Sequence, residues 1–596
     1  MLPHKQIELR LQQAARAVLP DADVAAVLVR PCPDAKFGDY QSAAIMSLAK
    51  TRKLNPRQLA TEVVAQLDVS PWCEKVEIAG AGFLNFRLQP GVLREALQSA
   101  LRGEPLFYSK TAQPRTVVVD FSSPNVAKPM HVGHIRSTIL GDSLARLLRL
   151  LGHRVVTDNH IGDWGTQFGM LLVGWKTMLE AAALEREAIG ELERIYRAVN
   201  AQCDPAKPTY NVATHEAARA ELVKLQQGDP ENLALWREMI RLSQIQFDTI
   251  YGRLGVKFDH ALGESFYNPR LPAIVAELVA RGIARESEGA KCVFSDGTLP
   301  PKEDPFLIQR DGEWQTNPQL IQKRDGGYNY ATTDLATIAH RLEAWQPQEI
   351  VYVTDGRQQL HFQQLFATFR RWHPELTGQV KLAHVWFGSI LGDDGKPLKT
   401  RTGENVKLAD LLNEAEERAF KVVSEKNAAL PEAARREIAR VIGLGAVKYA
   451  DLLSNRQSDY VFSWDKILAL NGNTAPYLQY AYARIQSIFR KGEIPKAEGG
   501  DQSVEIRLTA PEEIALARHL LNFGLVLEAA AEDYRPNFIC TYLFELASHF
   551  SRFFENCPVL KAEAADRASR LALCDLTARV LAQGLDVLGI ETVPSM

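Results

Sequence analysis

A strand–helix–strand pattern that begins at Thr116 constrains the fold more than any other feature of the sequence. TVVVDF is a short apolar run typical of a buried strand, and His131–Leu151 carries apolar residues at helical spacing before Gly152, a candidate helix cap. HRVVTDN then begins another strand. A βαβ unit of this kind predicts a parallel sheet whose ligands lie at the carboxyl ends of its strands. We therefore expect an α/β Rossmann-like domain.

The regions on either side of this unit predict two further domains. The chain has 596 residues, which is too many for one hydrophobic core. Strand patterns recur at GFLNFRL, GYNYATTDLA, EIVYVTDG and LAHVWFGSIL, whereas amphipathic helical patterns dominate after Trp464. We expect an α+β N-terminal domain at 1–110, a catalytic domain with a parallel sheet at 111–463 that contains a mostly helical inserted domain at about 173–302, and an all-α C-terminal bundle at 464–596.

The composition excludes several kinds of protein. A net charge of −3 indicates no general affinity for nucleic acid, so any polyanion site must be a local patch. The seven cysteines are scattered without a CxxC pair, which favours reduced thiols over a zinc site or a disulfide framework. The start of the chain lacks the apolar run of a signal peptide, and no apolar stretch approaches the roughly twenty residues that span a bilayer. We expect a cytoplasmic protein with no membrane partner.

The segment HVGH lies where the first strand of the βαβ unit leads into the helix. A helix N-terminus at this place offers free backbone amides and a positive dipole end, which suit phosphate. Gly133 would let a base or ribose lie on the backbone. His131 and His134 share one face of the first turn and could donate hydrogen bonds to phosphate oxygens as charge develops. Taken alone, HxGH fits a capping turn with two surface histidines at least as well.

The residues around HVGH resemble a known family. VVVDFSSPNVAKPMHVGHIRST resembles the ATP-binding signature, or HIGH motif, of class I aminoacyl-tRNA synthetases, and SSPN-x-AKP resembles that of arginyl-tRNA synthetases. NHIGDWGTQFG, GESFYNP, YATTDLA, DGRQQLHFQQLF, WFGSILGDDGKPLKTRTG and LGIETVPSM follow in the family's order and extend the resemblance over the whole chain. It implies an enzyme that forms arginyl-adenylate from arginine and ATP with Mg²⁺, and then transfers arginine to the 2′-hydroxyl of the terminal adenosine of arginine tRNA. Positioning and charge stabilisation would supply most of the acceleration.

The resemblance also implies which residues handle ATP. The implied catalytic residues are Lys128, His131, Gly133, His134, Lys399 and Arg401. The implied ATP-binding residues are position 130 (Met130, directly after Pro129), His131, Gly133, His134 and Lys399. The sequence departs from the class I loop KMSKS, because LKTRTG places threonine or arginine at the second lysine position. The family resemblance implies that Lys128 compensates, and Arg401 can also bind phosphate, so both cations remain candidates; alone, the loop fits a solvated surface turn.

A guanidinium substrate requires carboxylates and neutral acceptors in a planar arrangement. The resemblance implies an arginine site made by Asp120, Ser123, Asn125, His134, Glu264, Tyr330, Asp334 and Gln358. Asp334, Glu264, Tyr330 and Gln358 would surround the guanidinium, and the others would hold the α-amino and carboxylate end. Each has a plainer alternative. Asp334 could cap a helix from Leu335, Glu264 could be a solvated acid, Tyr330 could be core and Gln358 could be a surface residue.

The tRNA-binding residues implied by the resemblance are Phe83, Asn85, Phe554 and Met596. Phe83 and Asn85 lie two apart on a presumed strand and share a face, where one can stack on a base of the tRNA elbow and the other can hydrogen-bond it. Phe554 and the terminal Met596 would lie near the anticodon. Core packing is the alternative for Phe83, and a frayed end is the alternative for Met596.

Three other functions are consistent with parts of the pattern. A smaller nucleotidyltransferase also uses HxGH, but it lacks a long insertion and a helical C-terminal domain. Another class I synthetase is disfavoured by SSPN and YATTD. A tRNA-binding paralogue without catalysis would be expected to have lost the signature, yet Lys128, His131, Gly133 and His134 are all present. We expect a monomer without a protein-bound metal site.

Overall fold

The computed structural model describes every residue except 1, 35, 104, 400–405 and 495–503. The chain divides into two compact units. The first comprises Met1–Ala112, Phe420–Tyr449 and Leu468–Met596, and the second comprises Gln113–Ala419 and Ala450–Ile467. The N-terminal residues, the segment Phe420–Tyr449 and the C-terminal residues therefore belong to one unit. The second unit contains the βαβ pattern.

The N-terminal part of the first unit is an α+β structure. Its elements are α1 (Pro3–Val18), β1 (Arg30–Pro31), β2 (Tyr40–Ser42), α2 (Ala44–Arg52), α3 (Pro56–Ala65), β3 (Cys73–Ala79), β4 (Phe83–Leu88) and α4 (Pro90–Leu101). The four strands form an antiparallel sheet in the order β1-β2-β4-β3. Leu84, Phe86 and Leu88 of β4 are buried because alternate side chains of a strand face the core.

The second unit contains the parallel sheet. Its elements are β5 (Thr116–Phe121), α5 (Val132–Leu150), β6 (Arg154–Asp158), α6 (Gln167–Met178), α7 (Ala181–Arg186), α8 (Ala188–Cys203), α9 (Val212–Gln226), α10 (Pro230–Leu254), α11 (Glu264–Tyr267), α12 (Leu271–Ala280), β7 (Ala284–Ser287), β8 (Ala290–Val293), β9 (Leu307–Arg310), β10 (Glu313–Thr316), β11 (Gln319–Gln322), α13 (Tyr330–Trp345), β12 (Glu349–Val353), α14 (Gln359–Trp372), β13 (Lys381–His384) and β14 (Ile390–Leu391). The sheet order is β13-β12-β5-β6, and every neighbouring pair is parallel. This confirms the Rossmann-like prediction and places β5 inside the sheet.

The remaining elements are mostly helices. They are α15 (Leu408–Lys426), α16 (Glu432–Leu453), β15 (Tyr460–Val461), α17 (Trp464–Ile467), α18 (Ala475–Lys491), α19 (Pro511–Leu521), α20 (Phe523–Glu532), α21 (Asn537–Asn556) and α22 (Ala564–Val587). Helices α18 to α22 form the predicted C-terminal bundle. The stretch Pro511–Glu532 is long and apolar enough to cross a membrane by length and composition, and 50% of its most apolar window is buried in the structure. No apolar stretch of this length was expected from the sequence; in the structure these residues form α19 and α20 of the bundle.

The strand pattern assigned to GYNYATTDLA is wrong. This segment is the start of α13, and the side chain of Asn329 caps the helix by accepting a hydrogen bond from the Tyr330 N–H at 3.0 Å. Thr332 is fully buried and donates its hydroxyl hydrogen bond to the Ile321 carbonyl at 2.6 Å. A tertiary hydrogen bond and a helix cap therefore outweigh the strand preference of the two threonines.

Candidate active site

The turn between β5 and α5 is held in an unusual backbone conformation. Ser122, Ser123 and Ala127 have positive φ values of 75°, 48° and 61°. The N–H of each donates to a side chain from elsewhere in the fold, at 2.8 Å to Ser137 Oγ, 3.0 Å to Asn159 Oδ1 and 2.9 Å to Ser243 Oγ, respectively. A strained turn persists only where its surroundings fix it, so this turn is preorganised.

His131 and His134 form a reciprocal cap at the start of α5. The Gly133 N–H donates to His131 Nδ1 at 3.0 Å, and the His131 N–H donates to His134 Nδ1 at 3.1 Å. The ring centroids are 4.0 Å apart. Because Nδ1 accepts in both rings, the proton of each neutral imidazole is on Nε2. Within the described part of the chain neither Nε2 has a hydrogen-bond partner, so the turn presents two N–H donors.

Burial keeps both imidazoles neutral. It lowers the pKa of His134 to about 3, and the nearby His131 lowers that pKa further. Burial also lowers the pKa of His131, and the positive charges of Arg357 and Lys128 act in the same direction. At neutral pH the two rings therefore act as dipolar donors. The positive charge at this turn comes from the helix terminus and nearby cations.

The glycine and the lysine of the motif have defined surroundings. A Cβ at Gly133 would lie 2.8 Å from His131 Cε1, so glycine is required for the His131 ring to fold back over the turn. Lys128 Nζ lies 4.8 Å from the ring centroid of Tyr196 in α8. Burial lowers the Lys128 pKa, and the carboxylate of Glu193 opposes that shift. The inserted helices therefore supply an aromatic and an acidic neighbour for this cation.

The segment after the KTRTG loop pairs directly with the HVGH turn. The Val132 N–H donates to the Val406 carbonyl at 2.9 Å, and the Leu408 N–H donates to the Met130 carbonyl at 2.9 Å. His131 and Lys407 are bridge partners in this antiparallel contact. Nothing in the local sequence indicated the pairing, because such a contact joins positions far apart in the chain.

The structure describes one of the two loop cations that were predicted to bind phosphate. Lys399 is exposed at the N-terminal flank of the loop, and the Leu398 N–H donates to the Ile390 carbonyl at 3.0 Å. Arg401 lies outside the described residues. The structure therefore places the two flanks of the loop, at 398–399 and at 406–408, beside β14 and beside the HVGH turn.

Arg136, two residues after HVGH, anchors this region and was missed in the sequence. Its Nε lies 2.9 Å from Asp451 Oδ1, and both side chains are 1% exposed. Its Nη1 donates to the carbonyls of Gly388 and Ser458 at 2.8 and 3.2 Å. A buried ion pair of this kind costs about 3–5 kcal/mol to break by removing one partner. It holds the segment leading to the loop against α5.

The predicted guanidinium site lies where α13 and α14 begin. Tyr330 and Asp334 are one turn apart on α13, and Tyr330 is 59% exposed, so it is not a core residue. Asp334 Oδ2 accepts a hydrogen bond from His361 Nε2 at 2.6 Å. Gln358 is exposed at the end of a short 3₁₀ turn, Gly356–Gln358, that leads into α14. His361 was not among the predicted site residues.

Three carboxyl groups interact at this site. Burial raises the pKa of Glu264 to about 7, the charge of His160 lowers it, and the charges of Asp334 and Asp163 raise it further. Burial also raises the pKa of Asp163, which accepts hydrogen bonds from the N–H and hydroxyl of Ser265 at 2.8 and 2.6 Å. Glu264 is thus a partly buried acid among acids, and not the solvated loop residue of the alternative interpretation. A cation would relieve this repulsion.

The predicted residues for the α-amino end are arranged unequally. Asp120 is 4% exposed, and Arg341 Nη2 donates to its Oδ2 at 2.6 Å and to Asp158 Oδ2 at 2.7 Å. The structure therefore gives Asp120 a buried cation as a partner and does not bring it to the surface of the site. Ser123 is partly exposed, and its hydroxyl donates to Asp120 Oδ1 at 3.2 Å. Asn125 is exposed.

Gly162 lies directly beside Asn125. A Cβ at Gly162 would meet the Asn125 side-chain oxygen in its present position, and the two residues form a parallel bridge. The Val126 N–H donates to the Gly162 carbonyl at 3.0 Å, and the Gly162 N–H donates to the Pro124 carbonyl at 3.0 Å. The NHIGDWG segment therefore holds the turn that carries Asn125 from its other side.

The first unit contains a cavity of about 530 Å³ at the end of α18 and α21. Phe554 and Met596 both line it, together with Tyr480, Arg484 and Lys561. The Arg484 guanidinium lies 4.5 Å from the Phe554 ring centroid. By contrast, Tyr542, Phe550 and Phe553 on the same helix are buried in the bundle. One face of α21 therefore packs, and Phe554 faces a cavity with cations.

The two predicted residues of β4 differ in exposure. Phe83 is partly exposed, whereas Asn85 is 3% exposed and its Oδ1 accepts a hydrogen bond from Gln41 Nε2 at 2.9 Å. They share a face of the strand, as predicted, but the Asn85 carbonyl already has a protein partner. Elsewhere, the described residues contain no group of three or more His, Cys, Asp or Glu side chains that could hold a metal ion.

A parallel sheet whose inner strand leads into a histidine-capped HVGH helix is the arrangement expected for the catalytic domain of a class I aminoacyl-tRNA synthetase, and the family match shows that class. The family description "tRNA synthetases class I (R), catalytic domain" matches residues 96–464. "Arginyl tRNA synthetase N terminal domain" matches residues 5–88, and "DALR anticodon binding domain" matches residues 478–596. Class I enzymes use ATP in catalysis.

Whole-chain comparisons identify the particular family. The chain is 45% identical over 601 residues to an arginine–tRNA ligase of Chromobacterium violaceum, with 100% of both chains covered. It is 46% identical to an arginine–tRNA ligase of Citrobacter koseri, with 95% of each covered. The Thermus thermophilus arginyl-tRNA synthetase structure superposes with a TM-score of 0.82 at 26% identity, and 100% of each chain is covered. The chain belongs to the arginyl-tRNA synthetase family.

Proposed function

We propose that this enzyme ligates arginine to its tRNA in two steps. The arginine carboxylate attacks the α-phosphate of ATP and releases pyrophosphate, which leaves arginyl-adenylate. The 2′-hydroxyl of the terminal adenosine then attacks the activated carbonyl and releases AMP. The observation that carries this proposal is the preorganised HVGH turn, with two neutral N–H donors at a helix N-terminus, in a chain of this family.

The turn supports the first step through charge stabilisation. The His131 and His134 Nε2–H groups donate to phosphate oxygens whose negative charge grows in the transition state, and the α5 dipole acts in the same direction. Lys128, Lys399 and Arg401 supply the cationic charge. Mg²⁺ accompanies ATP through the phosphates, since octahedral Mg²⁺ is usually bound by few protein ligands and several waters. Met130 lies under the turn as a buried support.

The acidic site supports the choice of arginine. Asp334 and Glu264 accept hydrogen bonds from the guanidinium, while Tyr330 and Gln358 flank it from the exposed starts of α13 and α14. Ser123, Asn125 and His134 hold the α-amino and carboxylate end. Asp120 contributes by keeping Arg341 and Ser123 in place. Lysine, whose compact ammonium cannot bridge two separated carboxylates in one plane, is rejected by geometry.

The cavity beside Phe554 and Met596 supports anticodon binding. An aromatic face with Arg484 against it and Lys561 nearby suits a splayed base and its phosphate. On the N-terminal sheet, Phe83 stacks on an elbow base and Asn85 supports that face through Gln41. We further propose that the enzyme acts as a monomer in the cytoplasm.

The test is ATP–pyrophosphate exchange with each amino acid, with and without arginine tRNA. We expect exchange with arginine that depends on tRNA, as the resemblance to the arginyl-tRNA synthetase family implies. Exchange driven by lysine or glutamine instead of arginine would remove the proposal. Binding of arginine tRNA without any exchange would indicate the inactive paralogue.

A further inference from the structure

His361 has no role in the sequence prediction or in the proposed reaction, and the role assigned to it below rests on the proposed function. Its Nε2 is 2.6 Å from Asp334 Oδ2, and the two side chains are only 13% and 19% exposed. Asp334 is the carboxylate proposed to bind the substrate guanidinium. A short hydrogen bond to such a group fixes the orientation of its carboxylate.

The surroundings of His361 fix its ring. Tyr330 lies edge-on to it, with ring centroids 4.8 Å apart and an interplanar angle of 66°. His361 is in the first turn of α14, and Asp334 is in the second turn of α13, so the hydrogen bond joins the two helices that carry the proposed guanidinium residues. A side chain held by packing loses little further freedom when it orients a neighbour.

The hydrogen bond leaves Asp334 with a defined free acceptor. Among the described residues His361 is the one hydrogen-bond partner of the Asp334 carboxylate, and it occupies Oδ2. Oδ1 remains for the ligand. Because His361 orients Oδ2, the guanidinium meets Asp334 mainly through Oδ1 and takes a second carboxylate contact from Glu264, whose charge interacts with that of Asp334.

We propose that His361 is a positioning residue for arginine selection, which holds Asp334 so that Oδ1 faces the substrate guanidinium. It does not touch the phosphates or the reacting carboxylate. Its loss therefore weakens arginine binding and leaves ATP binding unchanged. Misplacement of a substrate-binding group by about 1 Å can cost about 100-fold, so an increase of roughly 10- to 100-fold in the arginine KM is expected.

The experiment compares three variants of the full-length enzyme in tRNA-dependent exchange. His361→Leu removes the donor at similar volume, and we expect the arginine KM to rise roughly 10- to 100-fold while the ATP KM and kcat change less than about threefold. His361→Gln keeps an N–H donor at a similar reach, and we expect it to restore most of the arginine affinity. His373→Leu is the matched control, because His373 Nδ1 lies 2.9 Å from Glu375 in another histidine–carboxylate pair that ends α14 away from the site.

A double-mutant cycle with Asp334→Asn separates positioning from general packing. If His361 acts through Asp334, adding His361→Leu to Asp334→Asn raises the arginine KM by less than about threefold. Full additivity would overturn the inference, and so would equal rises in the arginine and ATP KM values. If His361→Leu lacks a cooperative melting transition, His361→Asn, whose amide is too short to reach Asp334, is required to show the same split. Absence of arginine-dependent exchange in the unmodified enzyme would instead refute the proposed function.

Discussion

The HVGH turn and the acidic site lie in the same unit and use burial in opposite ways. At the turn, burial lowers the pKa values of His131 and His134, and each ring is tied to a backbone N–H, so the donors are ready before a ligand arrives. At the acidic site, burial and neighbouring carboxylates raise the pKa of Glu264 to about 7. Without its ligand the site holds more negative charge than its surroundings stabilise.

On the proposed assignments, the same enzyme binds an anion at one site and a cation at the other. The proposed phosphate site is preorganised, because neutral donors cost little to bury when their Nδ1 atoms are satisfied. The proposed arginine site is stabilised only when a guanidinium enters, because buried acids repel one another and must either bind protons or meet a cation. If Glu264 binds arginine as proposed, arginine binding near pH 7 is coupled to proton release, whereas phosphate binding at the HVGH turn has no such requirement.

The largest effect is expected at the HVGH turn. His134→Ala removes an Nε2–H donor and leaves the His131 N–H without its cap, so we expect the exchange rate to fall about 10²- to 10³-fold or more. Affinity for arginine tRNA, measured by filter binding, should stay within about twofold, since Phe554 and Met596 lie in the other unit. His215→Ala, at a partly exposed site of the insertion, is the control. A parallel fall in tRNA affinity would mean that His134 is structural.

The next largest effect is expected at the proposed arginine site. Asp334→Asn removes one of the two proposed carboxylates, and a hydrogen bond to a charged group contributes about 1.5–3 kcal/mol. We expect the arginine KM to rise roughly 10- to 100-fold in steady-state aminoacylation, with the ATP KM unchanged. Glu343→Gln is the matched control, because Glu343 lies on the same helix with 63% of its side chain exposed. An unchanged arginine KM would exclude Asp334 from the site.

The third test measures the arginine KM as a function of pH, which reports the protonation of Glu264. A guanidinium stabilises the charged form of Glu264, so the bound state has a lower pKa than the value of about 7 in the free protein. Above pH 7 the arginine KM should be constant. Below pH 7 arginine must displace a proton, and the KM should rise by up to about tenfold per pH unit. Glu264→Gln should show a raised arginine KM without this slope. Identical slopes in both proteins would assign the proton to another group.

The smallest expected effect concerns the contact between Tyr196 and Lys128 at the proposed phosphate site. Tyr196→Leu removes the ring beneath Lys128, and an exposed or half-exposed cation–π contact contributes about 0.5–1 kcal/mol. We expect the ATP KM to rise about two- to fivefold, and Tyr196→Phe, which keeps the ring, to behave as the unmodified enzyme. If both variants change the ATP KM equally, the hydroxyl and not the ring acts on Lys128.

Several elements and site features could be predicted because their signals are local. TVVVDF and HRVVTDN are short apolar runs next to a long helical period, and they form β5, β6 and α5 as expected. The HVGH turn follows from the order of its own residues. Phe554 and Met596 were predicted as near neighbours of the anticodon, and the structure brings both to one cavity.

Other features could not be predicted because they depend on distant partners. Asp120 was expected at the substrate, but Arg341, 221 residues later, binds it in the interior. His361 lies three residues after the predicted Gln358, yet a single histidine in an amphipathic helix carries no signal until Asp334 faces it. The threonines of GYNYATTDLA favour a strand. The hydrogen bond from Thr332 to Ile321, which helps to override that preference, cannot be read from the sequence.

The parallel sheet, the helical C-terminal bundle and the turn at HVGH could be predicted because periodicity and short-range motifs set backbone conformation locally. The ionisation of the histidines and acids, and the protein partners of each carboxylate, depend on the three-dimensional fold. Burial and pairing depend on residues that are brought together from far apart in the chain, and these two quantities set the charge of the site.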